Sequence, residues 1–193
     1  PISSLQGWVE MLKGQDSHSI IPEEMEKDLN RLKLISDRFG KIGSAPKLEM
    51  HDITQQVEKM VAYIKRRSTE KVTFVLDSPQ EKVTAKISGP LFDWVIENLL
   101  KNALDAINGR GSISIKIQDL RERVIIDIGD SGKGISKRNL PKVFKPGFTT
   151  KKRGRGLGLS LAKRIIEQYH KGQLFVKSSE IGKGTTFRIV LNA

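Results

Sequence analysis

The 193-residue chain contains no cysteine, which excludes disulfides and any thiolate-held metal. It also lacks an apolar run near the roughly 18 residues that mark a membrane-crossing helix. No secretory signal opens it, and it shows no internal repeat and no low-complexity tract. The missing cysteine fits a reducing compartment. The chain starts at Pro1 rather than Met and is read as a piece of a longer protein, whose upstream part stays open to a sensor or a membrane anchor.

Acidic residues are scarce relative to basic ones. Lys and Arg number 34 against 22 Asp and Glu, for a net charge of +12. Such an excess suits a nucleic-acid binder, or a solvated basic surface that faces acidic partners or phosphates. The cations are spread along the chain rather than massed in one arm. Lys151-Lys-Arg-Gly-Arg155 is the one dense run. The expectation is therefore no nucleic-acid partner.

The 37% hydrophobic content suits one ordinary globular domain plus something small. Residues 1–44 read as two amphipathic helices. Ile2, Leu5, Val9 and Leu12 recur at three-four spacing, as do Met25, Leu29, Leu32, Ser36 and Phe39. An antiparallel hairpin of this kind cannot bury its stripe alone, and pairing with a second copy gives a four-helix bundle. A homodimer through residues 1–44 is expected. Gly43-Ser-Ala-Pro46 reads as a linker.

From residue 45 onward helices and strands alternate. Helices are expected over Ile53–Arg67, Leu91–Ile107 and Leu157–Tyr169, and strands over Val72–Leu76, Val83–Ile87, Ser112–Gln118, Val124–Ile128, Gln173–Ser178 and Thr185–Leu191. The last four strands are expected to pair as two hairpins. The fold class is α+β, a two-layer sandwich with helices on one face of a mixed sheet.

Three clusters carry chemistry. On the helix Leu91–Ile107, Asn98, Asn102 and Asp105 lie four and three residues apart, within a narrow arc of one face. Asn is a mediocre helix former, so two on one face need a reason. A carboxamide oxygen is a hard neutral ligand suited to Mg²⁺; an ordinary solvated face is the alternative. In Asp130-Ser-Gly-Lys-Gly134, a carboxylate ends an apolar strand. It can accept from an exocyclic amine, which adenine offers and guanine replaces with a carbonyl. A buried acceptor left unpartnered costs about 1–3 kcal/mol, so one Asp can set base choice. Gly132 and Gly134 let the backbone approach a flat ring. In the third cluster, Gly154, Gly156 and Gly158 open a helix, where free N–H groups attract phosphate. Neither a P-loop nor a dinucleotide fingerprint is present. Lys151, Lys152, Arg153 and Arg155 are placed to pair with phosphate oxygens or to cover them.

Taken together and in this order, these motifs resemble the catalytic region of bacterial two-component sensor histidine kinases, within the gyrase–histidine kinase ATPase superfamily. Glu97-Asn-Leu-Leu-Lys-Asn102 resembles the N box, and Asp130-Ser-Gly-Lys-Gly134 the G1 box. Phe144-Lys-Pro-Gly-Phe148 resembles the F box, and Gly154-Arg-Gly-Leu-Gly158 the G2 box. Gly182-Lys-Gly-Thr185-Thr-Phe187 resembles the closing strand motif. The resemblance implies a Bergerat-type ATP-binding domain over residues 45–193, using ATP and Mg²⁺. Asn102 would hold the metal. Asn98, assigned the catalytic position, would lie near the phosphates where ATPase relatives carry a water-activating Glu. Asp105, Asp130, Gly132, Gly134, Ile135, Phe144, Phe148, Lys151, Arg155, Gly156, Leu157, Gly158, Leu159 and Thr185 would complete the ATP site, with Thr185 helping to hold adenine.

Residues 1–44 resemble the dimerisation and phosphoacceptor hairpin, with one departure. The family's reactive His precedes a Pro that matches Pro1, so the acceptor is absent. His18, His51 and His170 do not replace it, and each is expected at the surface. The resemblance further implies a response-regulator receiver domain as partner and a cytoplasmic kinase core. Rival readings are a Ser/Thr kinase or ATP-driven clamp of the same fold, or a basic module without catalysis.

Overall fold

A computed structural model describes residues 46–68, 71–151 and 156–193. The expected helical hairpin 1–44, His18 and the run Lys152–Arg155 lie outside the described residues. Residues Lys47–Ala193 form one compact unit.

The core follows from alternation. Ile113, Ile115 and Ile117 on β4 (Gly111–Asp119), Val124, Ile126 and Ile128 on β5 (Arg123–Asp130), and Phe187, Ile189 and Leu191 on β7 (Gly184–Asn192) are all buried. Their period of two puts them on one face of a five-stranded sheet. Its order is β2-β4-β5-β7-β6, with β2 at Val72–Asp77 and β6 at Gln173–Glu180. β2 runs parallel to β4, and every other pairing is antiparallel. The sheet is therefore mixed, as expected, and the last four strands do form two hairpins.

Helices cover the apolar face. α1 (Ile53–Lys65) buries Ile53, Val57, Met60, Val61 and Ile64, a stripe at helical spacing. Asp52 caps it, its carboxylate accepting from the Gln55 N–H at 3.1 Å. α2 (Gly89–Ala106) starts with Pro90 in its first turn. It buries Leu91, Phe92, Val95, Ile96, Leu99, Leu100 and Ala103, leaving one polar edge that holds Asn98, Asn102 and Asp105. The third helical run is α-helical over Gly158–Arg164 (α3) and π-helical over Ile165–Tyr169.

One strand was not among those expected. Glu49–Asp52 forms a short strand, β1, that the sequence reading had passed over. It pairs antiparallel with β3 (Thr84–Ile87) in a separate two-stranded sheet. β2 and β3, neighbours in sequence, thus belong to different sheets.

The opposite face of the main sheet carries a charged cluster. There Asp127 is 6% exposed because Arg188 and Lys177 roof it. Arg188 donates Nε and Nη2 to the two carboxylate oxygens at 2.7 and 2.8 Å, and Lys177 Nζ donates at 2.8 Å. Burial pushes this carboxyl up, but the bonds from Arg188 and Lys177 outweigh it and hold the group below its ordinary range.

Candidate functional site

α2 is the spine of the site. Near its C-terminal end the loop after β5 folds onto it. A side-chain carbon on Gly132 would meet the Ala106 carbonyl group at 2.5 Å, and the Lys133 N–H donates to the Ala106 oxygen at 3.0 Å. Glycine at 132 is thus required by close approach. Asp130 stands half-buried just before this loop. Its carboxylate accepts from the Gly132 N–H at 2.8 Å and also from the Thr185 main chain, its register partner on β7. Desolvation raises the Asp130 carboxyl, and those two N–H bonds only partly offset it. A partly dehydrated acceptor is a good partner for an amine donor.

The rest of this end is tied into the sheet. Gly134 has φ 70°, and a side chain there would overlap the Glu180 carbonyl. The Ile135 N–H donates to the Ser179 hydroxyl at 2.8 Å, and that hydroxyl bonds the Thr185 hydroxyl at 2.8 Å. Thr185 is 5% exposed. Ser179 was not foreseen. It lies in a strand with no motif, and only the β6–β7 pairing brings it here.

Two turns back along α2, the second glycine cluster arrives. A side-chain carbon on Gly158 would overlap the Asn98 carboxamide oxygen. Gly156 has φ 64°, and its carbonyl accepts from the Gly147 N–H at 3.0 Å. This bond joins the start of the third helical run to the end of the F-box segment. Phe144 packs edge-on against Phe187 with centroids 6.2 Å apart, and Lys163 Nζ lies 4.8 Å from the Phe144 ring centre. Phe148 and Leu159 are half-buried, and Leu157 is exposed. Arg155 lies outside the described residues.

Asn102 and Asp105 lie between the two clusters, and both hold one cation. Lys151 Nζ donates to Asn102 Oδ1 at 2.8 Å and to Asp105 Oδ2 at 2.6 Å. The structure therefore brings both glycine clusters to one helix edge, from Asn98 to Ala106. Eight residues at 1.5 Å rise span about 12 Å.

Asn102 Oδ1 accepts from an ammonium group already, which shows that this oxygen is aimed where a cation can sit. Among the described residues no three His, Cys, Asp or Glu side chains gather to cage a metal. A divalent ion here would need phosphate oxygens and waters for most of its shell, the habit of Mg²⁺. The residues fit that ion.

The histidines depart from expectation. His170 is 4% exposed, not superficial. Its Nε2 accepts from the Ser88 N–H at 3.0 Å, at the start of α2, and burial lowers its pKa to about 4. His51 is half-buried and meets the Gln56 carboxamide at 3.2 Å. The cations are also less evenly spread than read above. Residues 131–166 contain eleven Lys and Arg and no acid, nearly the whole of the +12. A separate shallow cleft of about 470 Å³, lined by Asp52, Thr54, Gln55, Glu58, Pro79, Gln80, Glu81 and Lys82, holds none of the motif residues.

The profile of the "Histidine kinase-, DNA gyrase B-, and HSP90-like ATPase" family matches residues 90–193. The chain belongs to this family. It is 33% identical over 202 residues to the sensor histidine kinase ZraS of Salmonella typhimurium, covering 99% of this chain and 42% of that protein. It is 30% identical over 198 residues to sporulation kinase E of Bacillus subtilis, covering 99% of this chain and 26% of that protein. It thus spans less than half the length of these curated relatives. The catalytic domain of the histidine kinase ThkA matches with a TM-score of 0.69 at 25% identity, over 75% of this chain and 95% of that one. Full-length ShkA, solved with AMPPNP, matches the fold with a TM-score of 0.82 at 20% identity, over all of this chain and 43% of that one. The family's ATPase domain is shared by histidine kinases, DNA gyrase B and HSP90, and the relatives above are histidine kinases. Among the described residues no helix is long and apolar enough to cross a membrane.

Proposed function

We propose that residues 45–193 bind Mg·ATP along the polar edge of α2 and serve as the catalytic core of a cytoplasmic sensor histidine kinase. Residues 1–44 would be the dimerisation hairpin, with the acceptor His upstream of Pro1. The observation that carries this reading is the convergence of both glycine clusters on one helix, beside a half-buried Asp130. Asp130 would accept from the adenine amine, on a turn that Gly132 and Gly134 let pack tightly against Ala106 and Glu180. Gly156, Leu157 and Gly158 would offer main-chain N–H groups to phosphate. Asn102 would ligate Mg²⁺, which supplies charge neutralisation on the phosphate oxygens.

Phosphoryl transfer needs positioning more than covalent help from the protein. The residues named would hold the γ-phosphorus in line with an imidazole nitrogen. A nitrogen–phosphorus bond would form as the bond to the bridging oxygen breaks and ADP leaves, and the ring's other nitrogen would release its N–H proton to water. Asn98 cannot act as a base, which favours transfer to a protein over rapid hydrolysis and disfavours the clamp reading. Relay to an Asp of a response-regulator receiver domain would follow; ThkA has been solved with such a partner, TrrA, at 22% identity to this chain.

The test restores the upstream segment and incubates the dimer with γ-labelled ATP. Acid-labile, base-stable label on the added His, lost in Asn102→Ala, is expected. Label on a hydroxyl residue would refute the assignment.

A further inference from the structure

The reading above makes Lys151 one of several cations available to phosphate. Its position assigns it something more specific. Lys151 Nζ touches the very oxygen, Asn102 Oδ1, that would take the metal, and the carboxylate of Asp105 holds it there at 2.6 Å. Both side chains are substantially exposed, Lys151 at 38% and Asp105 at 55%, so the contact can exchange with solvent. Charge along the chain singles this pair out. Between Asp130 and Glu167 the sequence offers eleven cations and no acid, so Lys151 must find its carboxylate elsewhere. Asp105, across on α2, supplies it. Among the described residues Lys133, Lys137, Arg138, Lys142 and Lys145 of the same segment make no ion pair.

We propose that Lys151 is a tethered stand-in cation at the metal position, displaced from Asn102 when Mg²⁺ enters with its nucleotide. The inference rests on the reading of α2 as the nucleotide helix. The physics is competition for one oxygen. An ammonium group and a divalent ion on the same carboxamide oxygen repel each other, so the metal can settle only as Lys151 leaves. Asp105 is then a positioning residue rather than a ligand of ATP, since it sets how firmly Lys151 resists. The nucleotide's own charge completes the exchange, because the phosphates offer the released ammonium a new anionic partner. Metal and nucleotide binding are thereby coupled: neither alone gives Lys151 both a reason to leave and a place to go.

The test is a Mg²⁺ titration of the full chain at fixed, sub-saturating fluorescent ribose-labelled ATP. The readouts are bound fraction and the Mg²⁺ concentration at half-effect. An exposed pair worth up to about 1 kcal/mol translates into about a two- to fivefold shift. Lys151→Met should lower the Mg²⁺ midpoint by that factor. Asp105→Asn should lower it less but in the same direction, and Lys151→Arg should restore a midpoint near that of the parent chain. A midpoint unchanged or raised in Lys151→Met, with Asp105→Asn silent, would overturn the inference and leave Lys151 a plain phosphate contact. No nucleotide binding by the parent chain at millimolar Mg²⁺ would instead sink the ATP reading itself, and this inference with it. Thermal melting of each variant guards against loss of fold.

Discussion

The two ends of the α2 edge are built in opposite ways. Around Asp130 the polar groups are fixed by main chain and by two hydroxyls tied into the sheet. Gly132 and Thr185 hold the carboxylate, Ser179 links Ile135 to Thr185, and two glycines press against carbonyl groups. Around Asn102 the groups are side chains in water, joined by one exposed ammonium. A ring of fixed shape can be met by a rigid, preorganised site. A metal with phosphates attached must enter and leave with its water shell, and suits groups that exchange. On the proposed reading, base selection would be fixed by the sheet, while metal entry would be set by charge balance.

The harshest way to break the contrast is Gly134→Ala. The left-handed φ and the overlap with the Glu180 carbonyl together should cost about 3 kcal/mol. Loss of nucleotide binding with a lowered urea midpoint is expected. Gly158→Ala is the matching change at the other end. There the obstacle is the tip of the Asn98 side chain, which can turn aside, so binding should fall while the urea midpoint holds. Equal losses of stability in the two variants would erase the distinction.

A pH scan reaches the element that both ends share. His170 accepts the Ser88 N–H at the start of α2 and titrates near 4 when folded, against 6.5 in its ordinary state. Between these values the unfolded chain binds more protons. The stabilisation is therefore complete above 6.5 and is lost as pH falls through about 4. The total is about 3 kcal/mol. Urea unfolding from neutral pH to about pH 4 should show this slope, and His170→Gln should flatten it. A slope unchanged in His170→Gln would assign the acid sensitivity to carboxylates instead. Asp130 works in the opposite sense, since its raised carboxyl favours the fold below its ordinary value and loses that advantage as pH rises.

Asp130→Asn separates function from stability. The amide presents a donor or a weaker acceptor to the adenine amine, and affinity should fall by about 10- to 100-fold, or roughly 1–3 kcal/mol. Stability at neutral pH should hold or rise, because a partly desolvated charge has been removed. Calorimetry with and without nucleotide measures both. A fall in stability as large as the fall in affinity would make Asp130 a structural residue first.

The sequence disclosed much of this because its informative signals were local. Glycines at 132, 134, 156 and 158 mark close approach without any knowledge of what approaches. The alternation of Ile113–Ile117 and Val124–Ile128 marks strands with one dry face. What escaped was non-local. β1 is four residues of mostly polar chain whose reason to be a strand is β3, more than thirty residues away. β2 is followed in sequence by β3, yet pairs with β4 beyond the helix. A lone His at a helix end carries no sign that Ser88 will meet it. Asp127 reads as an outward strand position, and only Arg188 and Lys177 from two later strands bury it. The acid-free stretch after Asp130 was legible, and counting cations over the whole chain obscured it.

The mildest expected effect tests the exposed end alone. Asp105→Asn removes a carboxylate that is 55% exposed and keeps the side chain's shape. A pair in such solvent is worth about 0–1 kcal/mol, so melting should shift by no more than about 2–4 °C. The same charge beside Lys151 is also screened by salt, and raising ionic strength should shrink even that shift. Around Asp127, which is 6% exposed and held by three bonds, screening has little access. If Asp105→Asn proved strongly destabilising at high salt, the metal end would be as firmly built as the adenine end. Its exchange of one cation for another would then lose its physical basis.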